Sequence, residues 1–285
     1  MNIPILLNIV ILSQLFLLSY YFPGKIINRI HYMLTHYPAS DYPKLYPGNN
    51  KMEKARKSLR IFKIISSSTL ILGIIFLLLA NLTHTEIKDS MVVVFGFIQF
   101  IPFALLEKAE LNHYRMMRKE NQSRLRTAEL KRRRYFDYIS PSVFIIAALT
   151  FLCFIAFCFY RIILNQTFLS DGVISLAAIL LMHIYFATLV VWVMYGKKIN
   201  PLQTAKEREL YIGSVIRMTV YVSIAANCFM IIYGALQLYQ LDLWEPVALS
   251  VYFQVCICLG LGTMLRTNKI ENINFEVYRE NKITT

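Results

Sequence analysis

Seven apolar stretches, each sixteen to twenty-four residues long, punctuate this 285-residue chain at about residues 3–22, 64–80, 91–106, 143–164, 173–195, 215–238 and 247–265. A helix needs about twenty such residues to cross the hydrocarbon of a bilayer. The gaps between the stretches differ sharply in charge. Twenty-eight of the thirty lysines and arginines fall in alternate gaps or, for Arg217, just inside the stretch that follows one, leaving only Lys88 and Arg161 toward the other side. Cytoplasmic loops of helical membrane proteins carry such an excess of basic residues. The chain therefore reads as an all-α, polytopic transmembrane bundle of seven spans, N-terminus out and C-terminus in. It forms a single integral membrane domain with basic cytoplasmic segments at 23–63, 107–140, 196–214 and 266–285.

The third stretch is the weakest, with sixteen uncharged residues and Pro102 near its end. Charge decides that it crosses. If it only dipped into the membrane, the ten basic residues from Lys108 to Arg134 would share a side with the loop around Lys88, and the segregation would be lost. The first stretch reads as a retained helix, since no basic residue precedes it and Tyr20-Tyr21-Phe22-Pro23 is no small-residue cleavage site.

The net charge of +13 would suggest nucleic acid in a soluble chain. Beside membrane spans, the same charge marks topology and attracts anionic lipid, so no nucleic-acid partner is expected. The membrane expected is the plasma membrane or the bacterial inner membrane. All five cysteines lie within apolar stretches, which excludes a secreted disulfide framework. Asn81-Leu-Thr83 and Asn165-Gln-Thr167 match glycosylation acceptors but hug the membrane, and they read as chance matches.

Local signals agree with these boundaries. Ser140-Pro141 places a capping hydroxyl before a proline at a first helical position. Thr204-x-x-Glu207 is a capping box, so the sixth helix starts outside the membrane. Asp242, Glu245 and Pro246 open the seventh, and Trp192 and Trp244 sit where interfacial anchors belong. From Phe103 to Ser140 there is neither proline nor glycine, so helix is expected throughout.

Charged side chains deep in a span are the best pointers to ion or proton pathways, and none lies near a span centre. The uncharged polar residues there are Asn8, Gln99, His183, Asn227 and Gln254. His183, Asn227 and Gln254 form the candidate intramembrane site, with an interhelical hydrogen bond as the structural alternative for His183. Glu107-x-x-Glu110-x-x-His113 carries half of a carboxylate-bridged di-iron pattern, but the second Glu-x-x-His is missing. No metal, cofactor or catalytic residue is expected.

Two basic-side segments stand out. Tyr37-Pro38, Tyr42-Pro43 and Tyr46-Pro47 give a stiff, non-helical piece. Its tyrosines can dock a partner or close the cytoplasmic mouth of the bundle. Lys131, Arg132, Arg133 and Arg134 suit anionic headgroups. The expected function is a non-enzymatic membrane component that docks a membrane or cytoplasmic protein, or anionic lipid, through this face. The alternative is a channel or carrier for an uncharged or weakly polar solute.

Overall fold

The computed structural model describes residues 3–48, 51–120, 133–165 and 171–279. It holds seven helices long and apolar enough to cross a membrane, and no strand among the described residues. They are α1 (Ile3–His36), α2 (Lys51–Leu82), α3 (Asp89–Glu120), α4 (Pro141–Asn165), α5 (Asp171–Tyr195), α6 (Ala205–Leu238) and α7 (Asp242–Thr267). Helix α6 packs against α4, α5 and α7, while α7 packs against α1, α3 and α6. These two therefore join an α4–α5 pair to an α1–α2–α3 group. Only 11% of the apolar window of α4, and likewise of α5, is buried within the protein. Their outward leucines and isoleucines, such as Leu149, Leu152, Leu181 and Ile184, are left for lipid to cover.

Several helices outrun their apolar stretches. The third stretch lies inside a 32-residue helix, about 48 Å at the α-helical rise, so it is long enough to span despite Pro102. Helix α1 does not stop at Phe22-Pro23. Residues Phe16–Tyr21 form a π-helical turn, and α-helix resumes over Phe22–His36. A proline ring collides with the carbonyl four residues earlier, and a widened turn just ahead of Pro23 gives that ring room. Helix α7 has a similar turn at Cys258–Gly262. Gly262 there lies beside the Phe22 ring, which packs in a cluster with Leu18 and Ile257.

The expectation of helix through Phe103–Ser140 fails over its described end. Residues 121–132 lie outside the described region, but Arg134 is extended and Tyr135–Asp137 form a 3-10 turn. The Asp137 carboxylate accepts from the Arg134 amide at 3.1 Å, and Tyr135, Phe136 and Phe144 stack edge to face. Local side-chain bonding thus competes with helix here, without proline or glycine.

Both described turns at the non-basic end are Schellman motifs without glycine. After α2, Thr85 donates to Ala80 and His84 has a φ of 50°; after α6, Leu241 donates to Leu236 and Gln240 has a φ of 56°. Glu207 at the start of α6 does close the expected capping box with Thr204.

Candidate functional site

Polar side chains within the bundle gather in two places rather than one. The first joins α1, α3 and α7. Gln14 Nε2 donates to Gln99 Oε1 at 2.7 Å, Gln99 Nε2 donates to Ser19 Oγ at 3.0 Å, and Ser250 Oγ donates to Gln14 Oε1 at 2.5 Å. All four residues are buried. Gln14 and Ser19 are five apart and would diverge on a regular helix of 3.6 residues per turn. The π turn between them, which closes every five residues, lets both face Gln99. Beside this network Ser13 Oγ donates to Gln254 Oε1 at 2.7 Å, and Gln254 Nε2 donates to the Val10 carbonyl at 3.0 Å. Gln254 is thus committed to α1.

The second place lies between α5 and α6. His183 Nδ1 is 2.8 Å from the Ile179 carbonyl, and Nε2 is 2.7 Å from Ser223 Oγ. A carbonyl only accepts, so Nδ1 carries a proton, and the Ser223 hydroxyl, which can donate or accept, holds Nε2. The imidazole is held from both sides. Phe151 of α4 covers the ring, with centroids 4.7 Å apart. Asn227, one helical turn beyond Ser223, is completely buried, and neither its Nδ2 nor its Oδ1 finds a partner among the described residues. His183 and Asn227 therefore belong to the α5–α6 side and Gln254 to the α1–α7 side, so the three expected site residues do not converge on one point.

Ser223 and His183 have the spacing of a nucleophile and its base. His183 is twelve residues from either end of α5, about 18 Å along the axis, and the contact joins α5 to α6 at that depth.

At the basic end, the tyrosine–proline segment and the C-terminal tail fold into a cap. Tyr37 stacks on Phe275 with centroids 3.6 Å apart, and Tyr42 meets Tyr37 edge to face at 5.2 Å. Tyr46 Oη donates to the Tyr37 carbonyl at 2.7 Å. Tyr42 and Tyr46 are buried, together with Leu34, Leu45, Met117, Phe275 and Tyr278. Desolvation pushes the Tyr46 phenol up to about 12. The tail is tied down where Asn200 donates to the Tyr278 hydroxyl at 2.6 Å and the Asn274 amide donates to Glu207 at 2.6 Å. Arg279 donates to the Tyr42 hydroxyl at 3.1 Å.

Some basic residues of this end are structural. Arg133 donates to the Met194 carbonyl at 2.6 Å and Arg208 to the Gly196 carbonyl at 2.8 Å. These are the carbonyls that the C-terminus of α5 leaves unpaired, where cations are favoured. Arg118 donates to the carbonyls of Lys198 and Ile199 in the same turn. Arg134 is exposed, and Lys131 and Arg132 lie outside the described residues. On α2, by contrast, Lys54, Arg56, Lys57, Arg60 and Lys63 are all exposed, next to exposed Ile61 and Ile64.

The Glu107, Glu110 and His113 side chains do not converge. Glu110 accepts from Tyr114 at 2.9 Å, whereas His113 lies toward the Leu45 backbone of the cap. Among the described residues no group of three or more metal-ligating side chains could hold an ion. At the opposite end, Tyr233 Oη lies 3.0 Å from Asp89 Oδ2 and 3.2 Å from Glu245 Oε2, tying together the starts of α3 and α7. Arg161 is buried and donates to Gln237 of α6 at 3.0 Å, rather than reaching out along the lipid face.

Comparison of the chain with protein-family models, with curated proteins and with solved structures finds no match.

Proposed function

We propose that this multi-pass membrane protein is a non-enzymatic component lying N-terminus out and C-terminus in. In this reading the whole chain is one membrane domain, its basic end faces the cytoplasm of a plasma or bacterial inner membrane, and that end engages an anionic partner. The observation that carries the reading is the collar of α2. Lys54, Arg56, Lys57, Arg60 and Lys63 are exposed on the helix whose next turns present Ile61, Ile64, Ile71 and Leu72 outward. A surface that passes from aliphatic to cationic within two turns suits the boundary between acyl chains and anionic headgroups. The packed cap supports the same view, because it holds the start of α2 against the rest of the basic end. Tyr37, Tyr42, Tyr46 and the Lys131–Arg134 run complete the proposed docking face, the tyrosines by shaping the cap and Arg134 by its exposed charge.

The first test is purification of the intact protein in nanodiscs that contain anionic and zwitterionic lipid, with mass spectrometry of what stays bound. Selective retention of anionic lipid, reduced when Lys54, Arg56, Lys57 and Arg60 are changed to Gln, is the expected result. A stoichiometric protein partner, lost when the Tyr-Pro segment or the Lys131–Arg134 run is neutralised, would make the partner a protein instead. Equal retention of all lipids, with no protein partner, would refute the reading. The second reading, a carrier for a weakly polar solute, draws support from the unpartnered amide of Asn227. Solute flux into reconstituted vesicles tests it, and vesicles that stay tight refute it.

A further inference from the structure

At the non-basic end three helices meet on one hydroxyl. Tyr233 of α6 has its Oη 3.0 Å from Asp89 Oδ2 at the start of α3 and 3.2 Å from Glu245 Oε2 at the start of α7. A phenol carries one proton and donates to one acceptor, whereas an ionised carboxylate only accepts. With both acids ionised, one of the two contacts sets oxygen against oxygen with no proton between them. One added proton removes the conflict. Tyr233 then donates to one carboxyl, and the other, protonated, donates to the Tyr233 oxygen. A proton needs no cavity beside these groups.

The surroundings choose which carboxyl takes it. Asp89 stands at the first position of α3, and its Oδ1 accepts from the Ser90 amide at 2.6 Å. An amide donor and a helix N-terminus both favour the charged form. Glu245 also begins a helix, but a second acid, Asp242, lies one turn before it. Partial burial, with Asp89 and Asp242 adding like charge, pushes the Glu245 carboxyl above its ordinary value, against the Tyr233 hydroxyl, which pulls it down. Both acids lie two residues before their apolar stretches and are half-buried, so protons of the medium reach them. The charged groups nearby are the exposed Glu86, Lys88 and Asp242, and Arg161 of α4, held by Gln237 one turn along α6 from Tyr233. His84 and Tyr239, also exposed, are the other ionisable groups of the two described turns. Helix α1, packed on α7 as well, brings no ionisable side chain in its described residues before Tyr20.

We propose that Asp89, Tyr233 and Glu245 form a proton-operated latch that ties α3, α6 and α7 together at the non-basic end. Tyr233 belongs to the helix that packs on the α4–α5 pair, and Asp89 belongs to the α1–α2–α3 group, so the latch spans the seam between them. Closed, it shares one proton between two carboxyls through the hydroxyl. Loss of that proton leaves two facing anions and loosens the seam. Glu245 holds its proton more tightly folded than unfolded. The stability that the latch adds is therefore complete below the ordinary glutamate value, about 4.3, and is lost as pH rises through the folded value. In the orientation proposed above the latch senses the external medium, but its operation does not depend on that orientation.

The test is thermal unfolding of the intact protein in nanodiscs, where both faces share one buffer, from about pH 4.5 to about pH 8. Glu245→Gln supplies a permanent donor in place of the protonated carboxyl. Its Tm is expected to match that of the unaltered protein at the acid end and to exceed it by roughly 2–4 °C at the alkaline end. Asp89→Asn removes the other charge and is expected to flatten the same pH dependence, whereas Glu86→Gln, at an exposed acid of the same end, is expected to keep it. A Tm difference between Glu245→Gln and the unaltered protein that is constant across the range overturns the latch, and so does a lower Tm for Glu245→Gln at the alkaline end. If Glu245→Gln does not fold, Asp89→Asn decides by the same comparison. Amide hydrogen exchange over residues 88–93 and 242–248 of the unaltered protein, corrected for the intrinsic rate, gives an independent readout. Weaker protection at the alkaline end is expected, and equal protection at both ends overturns the proposal.

Discussion

Replacing Gln14 by leucine tests whether the α1–α3–α7 network is a coupled unit. Gln14 gives Gln99 its donor and takes the Ser250 hydroxyl. The substitution leaves Gln99 Oε1 without its partner in the fully buried interior, while Ser250 keeps a second acceptor, the Val10 carbonyl at 3.5 Å. One orphaned acceptor at about 1–3 kcal/mol, offset by the modest net value of interhelical bonds in membranes, about 0.6 kcal/mol on average, gives an expected loss of about 1–2 kcal/mol. The double variant Gln14→Leu, Gln99→Leu removes both amides. It leaves Ser19 and Ser250, which can turn to helix carbonyls. The pair should therefore be destabilised by less than the sum of the two single changes, with a coupling of about 1 kcal/mol. Reversible unfolding in mixed detergent, monitored by tryptophan fluorescence, measures all four corners of the cycle. Additive losses within about 0.3 kcal/mol would show that Gln14 and Gln99 act independently and would refute the network.

The Tyr46 phenol gives the cap an alkaline limit. Folding favours its neutral form, so the stability it contributes is constant below the ordinary tyrosine value near 10 and is lost as pH rises toward about 12. Absorbance titration of tyrosinate should show a late step that disappears in Tyr46→Phe, and a titration unchanged by the substitution would contradict the assignment. Phe275→Ala removes the ring stacked on Tyr37 and should open residues 37–48 to limited proteolysis while the spans stay protected. Thr204→Ala should cost about 1 kcal/mol through loss of the α6 capping box, read as a lower Tm. Gln240→Gly should raise Tm by relieving a left-handed residue, worth about 1 kcal/mol; no gain would mean that the turn is not strained.

Which residues enter the membrane was legible because hydropathy and charge are properties of each stretch by itself. The seven long helices, the capping box at Thr204 and the start of α7 all rest on neighbours within a few positions. The turns after α2 and α6 fall between apolar stretches, but their left-handed residues His84 and Gln240 carry no local signal, because the usual glycine is absent. Helix around Tyr135 was wrongly expected because the extended backbone there depends on Asp137 reaching back to Arg134.

What a polar residue does was decided only by the tertiary structure. Gln99 meets Gln14 across 85 positions and Ser250 meets Gln14 across 236, and no local pattern encodes such distances. His183 and Gln254 look equivalent along the chain, yet packing sends one to α6 and the other to α1. Glu110 and His113 share a helix, but Tyr114 and the Leu45 backbone draw them to different partners. Crossing a bilayer is a property of twenty consecutive residues, whereas a hydrogen bond between helices needs two side chains that meet only once the helices have packed.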